Sequence, residues 1–165
     1  MNTTQEEQTI KSVLVDKTFL TGLLFDELEL RSKFLISELI ENQTQLMTTE
    51  MVIYEVLSDM IERQKDFLFP KYIADKALVL LEELDIWIVK ALPVINEVYQ
   101  LRSPKSSDPE VGRKPYVNIS LEALTLICIA KQRNLELWTA DSSLKKTLQI
   151  FEEYAKWSHK KLIGF

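Results

Sequence analysis

The chain has 165 residues, of which 46% are hydrophobic and 27% are charged, and this balance is typical of a single globular domain spanning 1–165. Its net charge of −5 argues against a protein that coats nucleic acid through bulk charge. The single cysteine, Cys128, excludes a disulfide framework or a zinc–thiolate site and is expected to be a small core residue.

No apolar run reaches the ~20 residues that a bilayer-spanning helix needs, so no membrane association is expected. The first residues lack the basic-then-apolar order of a signal peptide, which makes a cytoplasmic protein the simplest expectation. Residues 1–10 are predicted to form a flexible polar tail.

The first predicted strand, Ser12 to Val15, is apolar and β-branched, and it ends abruptly at Asp16. A helical pattern over 19–25 follows at once. Strands that are apolar along their whole length are typical of parallel sheets covered on both faces. Ligands of such sheets bind at the carboxyl ends of the strands, where Asp16 is predicted to lie.

The middle of the chain alternates helical and extended patterns. A helix over 31–41 is predicted to bury Phe34, Leu35, Leu39 and Ile40. A strand over Gln45–Thr48 leads to Thr49, a natural N-cap for a helix from Glu50 to about Phe67. The core stripe predicted for that helix is Val52, Ile53, Val56, Leu57, Met60 and Ile61. A further helix is predicted over Tyr72–Trp87, and residues 92–95 fit either a short strand or a turn into the next helix.

The second half opens with a proline-rich surface loop over 103–117, which holds three of the five prolines. Ser120 is predicted to cap a helix over Leu121–Arg133. A strand over Leu135–Trp138 then ends in Thr139-Ala140-Asp141, and a short basic helix and an edge strand over 161–164 follow. This alternation predicts an α/β fold of three layers, α/β/α, around a mostly parallel sheet of four to five strands.

Four carboxylates are expected to meet at the carboxyl edge of that sheet: Asp16, Glu55, Glu122 and Asp141. Such a cluster would repel itself unless a divalent cation neutralised it. Oxygen ligands suit Mg²⁺ or Mn²⁺, and a carboxylate-held ion of this kind is suited to phosphoryl transfer, including phosphodiester cleavage.

Three blocks resemble the signature blocks of the PIN domain family: Val-Leu-Val-Asp-Lys-Thr-Phe-Leu from Val13, Thr-Thr-Glu-Met-Val-Ile-Tyr-Glu-Val-Leu-Ser from Thr48, and Leu-Glu-Leu-Trp-Thr-Ala-Asp-Ser-Ser-Leu from Leu135. The resemblance implies a PIN-like fold and a metal-dependent ribonuclease, of which many are VapC-type toxins held by a cognate antitoxin. It also implies a homodimer. Asp16, Glu55 and Asp141 would be the catalytic and metal-binding acids, and Lys17 and Thr139 would contact substrate.

Two positions depart from the family pattern. The family has an aspartate opening the helix before the last signature strand, and either Glu122 replaces it or Ala123 stands in its place, depending on the alignment. Lys17 follows the first aspartate where the family commonly has Thr or Ser. A lysine at this position could contact phosphate, or it could occupy the space that the metal ion would take.

Each acid also has a purely structural interpretation. Asp16 and Asp141 are well placed as helix N-caps, Glu55 as a partly solvated helix acid, and Glu122 as a complement to the helix dipole. His159, the only histidine, is expected to be solvated.

The leading prediction is a Mg²⁺- or Mn²⁺-dependent toxin endoribonuclease that acts on single-stranded RNA. The second is a PIN-fold module that binds RNA or protein through an inactive metal site. A response-regulator-like phosphoacceptor is disfavoured because the first strand lacks paired adjacent acids.

Overall fold

The structure, a computed structural model, describes residues 10–29, 31–103, 119–149 and 152–165. Within them, five strands form one all-parallel sheet in the order β3-β2-β1-β4-β5. The strands are β1 Ser12–Val15, β2 Gln45–Thr48, β3 Trp87–Ile88, β4 Glu136–Thr139 and β5 Leu162–Gly164. The predicted three-layer α/β/α fold with a parallel sheet is confirmed.

The helices follow the predicted alternation with strands. They are α1 Lys17–Leu24, α2 Ser32–Glu41, α3 Glu50–Arg63, α4 Lys71–Glu83, α5 Ile95–Arg102, α6 Leu121–Arg133, α7 Leu144–Leu148 and α8 Glu152–Lys161. The N-caps predicted at Thr49 and Ser120 are confirmed, since the hydroxyl of Thr49 accepts from the Val52 amide at 3.4 Å and that of Ser120 from the Ala123 amide at 3.2 Å.

The core is centred on β1, whose Val13, Leu14 and Val15 are completely buried. Helix α1 is also buried along most of its length, as is α6 from Leu124 to Ala130. Side chains on both faces of β1 are buried, which explains why this strand is apolar along its whole length. The apolar residues of α1 therefore belong to the core of the chain itself.

Two element boundaries differ from the sequence predictions. Helix α3 ends at Arg63 rather than near Phe67, and Trp87 lies in β3 rather than at the end of a helix. A strand of two residues is too short to show the alternation of apolar and polar side chains that marks a strand. The helical pattern that precedes β3 therefore concealed it. The open alternative over 92–95 resolves to a 3₁₀ turn, Leu92–Val94, that leads into α5.

The buried faces of two helices are narrower than predicted. Leu35 and Leu39 of α2 are buried, whereas Phe34 and Ile40 are exposed, and Ile61 of α3 is exposed as well. Both helices pack against α1, so only the face turned toward α1 is buried and residues at the margin of the stripe stay in solvent. The predicted tail up to residue 9 and the predicted loop over 104–117 lie outside the described residues.

Two smaller predictions are confirmed. Cys128 is buried in the core and His159 is exposed. In the part of the chain that the structure describes, no helix combines the length and the hydropathy that crossing a membrane requires.

Candidate functional site at the carboxyl edge of the sheet

The strand order defines where this sheet offers a crevice. From β1 the chain moves outward to β2 and β3 on one side, whereas β4 and β5 lie on the other side. The direction of winding reverses between β1 and β4, and ligands of open α/β sheets bind at the carboxyl end of such a switch point. Asp16 directly follows β1, and its amide donates to the carbonyl of Trp138 in β4 at 3.1 Å.

Asp16 is buried, with 4% of its surface exposed. Its Oδ1 accepts from the Phe19 amide at 2.8 Å and from the Thr18 hydroxyl at 2.7 Å. Its Oδ2 accepts from the hydroxyl of Thr139. The N-cap interpretation of Asp16 is therefore confirmed, and both of its oxygens have hydrogen-bond donors.

Burial is the largest influence on the protonation of Asp16 and raises the pKa of its carboxyl above the usual value. Hydrogen bonds from Thr139, Phe19 and Thr18 oppose this rise in pKa by stabilising the ionised form. The negative charge of Asp141 adds to the rise, so the carboxylates that follow β1 and β4 interact electrostatically.

Two threonines join the ends of β1 and β4. The Thr18 hydroxyl accepts from the Ala140 amide at 2.9 Å and lies 3.1 Å from the Thr139 hydroxyl. Thr139 in turn accepts from the Asp141 amide at 3.0 Å. Thr139 was predicted to contact substrate, but in the structure its hydroxyl is directed at Asp16.

Asp141 lies just beyond this network and is half-buried. Its Oδ1 accepts from the amide of Ser143 at 2.9 Å and from the hydroxyl of Ser143 at 2.7 Å. These bonds form a local turn before α7, but the N-cap of that helix is Ser143, so the N-cap interpretation of Asp141 is wrong.

Glu55 approaches the same edge from α3. Its Oε2 lies 3.8 Å from the ammonium nitrogen of Lys17, and both side chains are partly exposed, at 46% and 36% respectively. Lys17 is the first residue of α1, immediately after Asp16. The structure thus brings Lys17 onto Glu55, a contact that the sequence did not predict.

A cavity of about 260 Å³ opens beside Lys17, and its lining is Lys17, Thr18, Thr21, Gly22, Glu27, Asp59 and Ala140. Two of its acids are held by one arginine: Arg63 donates to both carboxylate oxygens of Glu27 and, at 3.2 Å, to Asp59. The Thr21 hydroxyl is buried and, among described residues, has no hydrogen-bond partner.

Sequence reasoning missed several of these residues. Asp59 lies one helical turn after Glu55, a spacing that puts both on one face of α3 and could have indicated it. Glu27 and Arg63 are far apart in the sequence, so their pairing had no local signal. Thr18 directly follows two residues that were identified, but a threonine in a first helical turn is too common to stand out.

The described carboxylates do not form a metal centre as they stand. Among residues 10–29, 31–103, 119–149 and 152–165, no group of three or more His, Cys, Asp or Glu side chains lies close enough to hold an ion. Glu122 is half-buried in the first turn of α6, and Ala123, also half-buried, brings no donor. Mg²⁺ and Mn²⁺ take several oxygen ligands, and the described carboxylates do not supply them as one close group. A magnesium site here remains a prediction.

Comparisons of the sequence with models of known protein families and with curated proteins found no match in either case. The likeness of the three blocks to the PIN family is therefore still a resemblance. The fold and site together define an α/β protein with a threonine-linked acidic crevice at the switch point of a parallel sheet.

Proposed function

We propose that this chain is a PIN-like domain that binds single-stranded RNA at the carboxyl edge of its sheet without metal-dependent cleavage. The observation that carries the proposal is the state of the crevice between β1 and β4. There both oxygens of the buried Asp16 carboxylate accept hydrogen bonds, and Lys17 lines the adjoining cavity.

Charge supports a phosphate-containing ligand at this edge. Lys17 is a partly exposed cation at the cavity, and Lys145 and Lys146 lie in α7, which begins just after Asp141. Lysines bind phosphate as point charges and position a nucleic acid backbone without reading its sequence. The neighbouring acids weaken this attraction, so affinity is expected to be modest and to fall as salt rises.

The size of the cavity fits a small part of a nucleic acid. A space of about 260 Å³ admits a phosphate group or part of a nucleotide. The hydroxyl of Thr18 and the ammonium of Lys17 are polar groups in its lining that can contact such a ligand.

Fluorescence anisotropy with a labelled, unstructured RNA in the presence of chelator tests this proposal. We expect saturable binding to the wild-type chain and about three- to tenfold weaker binding to Lys17→Gln, with a smaller salt dependence. Lys65→Gln is the matched control, because Lys65 forms an exposed ion pair with Glu62 at 2.7 Å. Equal affinities for wild type and Lys17→Gln, or no binding at all, would contradict the proposal.

A second candidate is the metal-dependent endoribonuclease, acting as a toxin under a cognate antitoxin. The placement of Asp16 and Asp141 favours it, because these two predicted acids follow the neighbouring parallel strands β1 and β4 at one edge of the sheet. Incubating RNA with the wild-type chain and Mn²⁺, with and without chelator, separates the two candidates. Cleavage that is lost on chelation and in Asp16→Asn would establish the nuclease and overturn the first proposal.

A further inference from the structure

We propose that the ammonium of Lys17 is a built-in cation of the acidic crevice and keeps divalent metal ions out of it. The inference deepens the proposed function, since it rests on the proposal that RNA binds at this edge without metal-dependent cleavage. It explains why a crevice that collects acids is not arranged as a metal centre.

The acids around the crevice already have partners. Glu55 is paired with Lys17, and Glu27 and Asp59 are paired with Arg63. Asp16 accepts three hydrogen bonds, and Asp141 accepts two from Ser143. Three of these five carboxylates are therefore paired with a cation of the chain itself, and the other two accept hydrogen bonds from neutral donors.

Lys17 is the cation best placed to compete with a metal. It follows Asp16 directly in α1, and its ammonium lies 3.8 Å from the carboxylate of Glu55, one of the acids predicted to be a metal ligand. A divalent ion bound by Glu55 would lie within a few ångströms of a positive ammonium, and like charges at that distance repel each other. The tethered lysine also loses less translational freedom on pairing than a free ion does.

A metal would face a second cost at Asp16. Ligation by its oxygens would require breaking hydrogen bonds from Thr18, Thr139 or the Phe19 amide, and leaving a buried donor unpaired is unfavourable. None of these hydrogen bonds involves Lys17, so we expect them to keep Asp16 in place when Lys17 is replaced. Removing the ammonium is therefore expected to expose the acids to metal without disrupting the fold.

Titration with Mn²⁺ alone, followed by electron paramagnetic resonance, tests the inference in the full-length chain. Wild type and the control Lys65→Thr are expected to show no saturable binding up to about 1 mM. Lys17→Thr is expected to bind one ion at least about tenfold more tightly than wild type. Lys17→Gln gives a second test that keeps the length of the side chain, and a thermal melt verifies that each variant is folded.

Two results would overturn the inference: stoichiometric Mn²⁺ binding by the wild type, or folded Lys17→Thr and Lys17→Gln variants that bind no better than it. Failure of the wild type to bind RNA in chelator would overturn the proposed function only. The metal titration is carried out without RNA, so the two failures are distinguishable.

Discussion

At the scale of single residues, Asp16 links secondary structure to the site. Its carboxylate caps α1 through the Phe19 amide and simultaneously accepts from Thr139 of β4. Replacing it by alanine removes the cap and leaves a buried hydroxyl without its partner. We expect Asp16→Ala to lower the free energy of unfolding by about 1–2 kcal/mol.

Asp16→Asn is the matched variant, because asparagine is also a good N-cap and its amide can pair with hydroxyls. It should lose less than half as much stability as Asp16→Ala in urea unfolding monitored by circular dichroism. Equal losses for both variants would show that the charge of Asp16, rather than its hydrogen bonds, stabilises the end of β1.

Cys128 provides a prediction about reactivity. Burial, with a smaller contribution from the charge of Glu97, raises the pKa of its thiol from 9.0 to about 12. Since only the thiolate is nucleophilic, iodoacetamide at pH 8 should leave the folded chain unmodified and react once it is unfolded. Mass spectrometry after timed quenching measures this, and rapid labelling of folded protein would contradict the burial of Cys128.

The sign of the pH effect follows from the same shift. Because the thiol pKa is higher in the folded state, that state retains a proton which the unfolded chain loses above about pH 9. The contribution of Cys128 to stability is therefore fully present below pH 9 and declines as the pH rises toward 12.

The sequence located the centre of the site but not its full composition. Asp16 and Asp141 were identifiable because each directly follows a strand pattern, and the ends of parallel strands share an edge. The pairing of Lys17 with Glu55, and of Arg63 with Glu27, depends on how α1 and α3 pack. Such contacts between distant segments have no periodic signal.

At the scale of secondary-structure elements, Arg63 connects the end of α3 to the segment after α1. It donates to Glu27 and Asp59, and its guanidinium lies 4.0 Å from the centre of the Phe25 ring. We expect Arg63→Ala to cost about 1–2 kcal/mol in urea unfolding, through lost stacking as well as lost charge. Lysine cannot hold both carboxylates and stack, so Arg63→Lys should rescue little.

The control for Arg63 is Lys65→Ala, two residues further along the chain. Its ion pair with Glu62 is highly exposed, and such pairs contribute little to stability. A change within about 0.5 kcal/mol is expected for it. If the two alanine variants were equally stable, Arg63 would not be a structural link between α1 and α3.

Four of the five observed strands were predictable from the sequence, because β1, β2, β4 and β5 each coincide with a β-rich pattern next to a turn or cap. The fifth, β3, was missed because it has only two residues and follows a long helical pattern. Its place in the sheet depends on tertiary pairing, in which Met47 and Thr48 of β2 align with Trp87 and Ile88.

At the scale of the whole molecule, the β3 edge is apolar and open in the described chain. Trp87 and Ile88 are 56% and 53% exposed, and Ile88 also lines a groove with side chains of α3 and α4. Exposed edges and apolar patches of this kind favour association. We predict that the chain forms a homodimer through this edge, with the twofold symmetry most common among oligomers.

Light scattering at high micromolar concentration measures the predicted dimer. Ile88→Lys should shift the mass to that of the monomer, because it places a charge at the edge. Phe67→Lys, which changes an almost fully exposed apolar residue outside the helices, should leave the dimer intact. A monomeric wild-type chain would contradict the prediction.

The central position of β1 has a consequence for the order of folding. The two strands that pair with β1 come from distant parts of the chain, since β2 begins at Gln45 and β4 begins at Glu136. During synthesis, β1, β2 and β3 can assemble while the other side of β1 still lacks its partner, and an unpaired apolar strand is prone to aggregation. Thr139, which completes the hydrogen bonds of Asp16, arrives with that last partner. The crevice therefore forms only late in synthesis, and a chain stopped before β4 would have an exposed strand instead of a partly formed site.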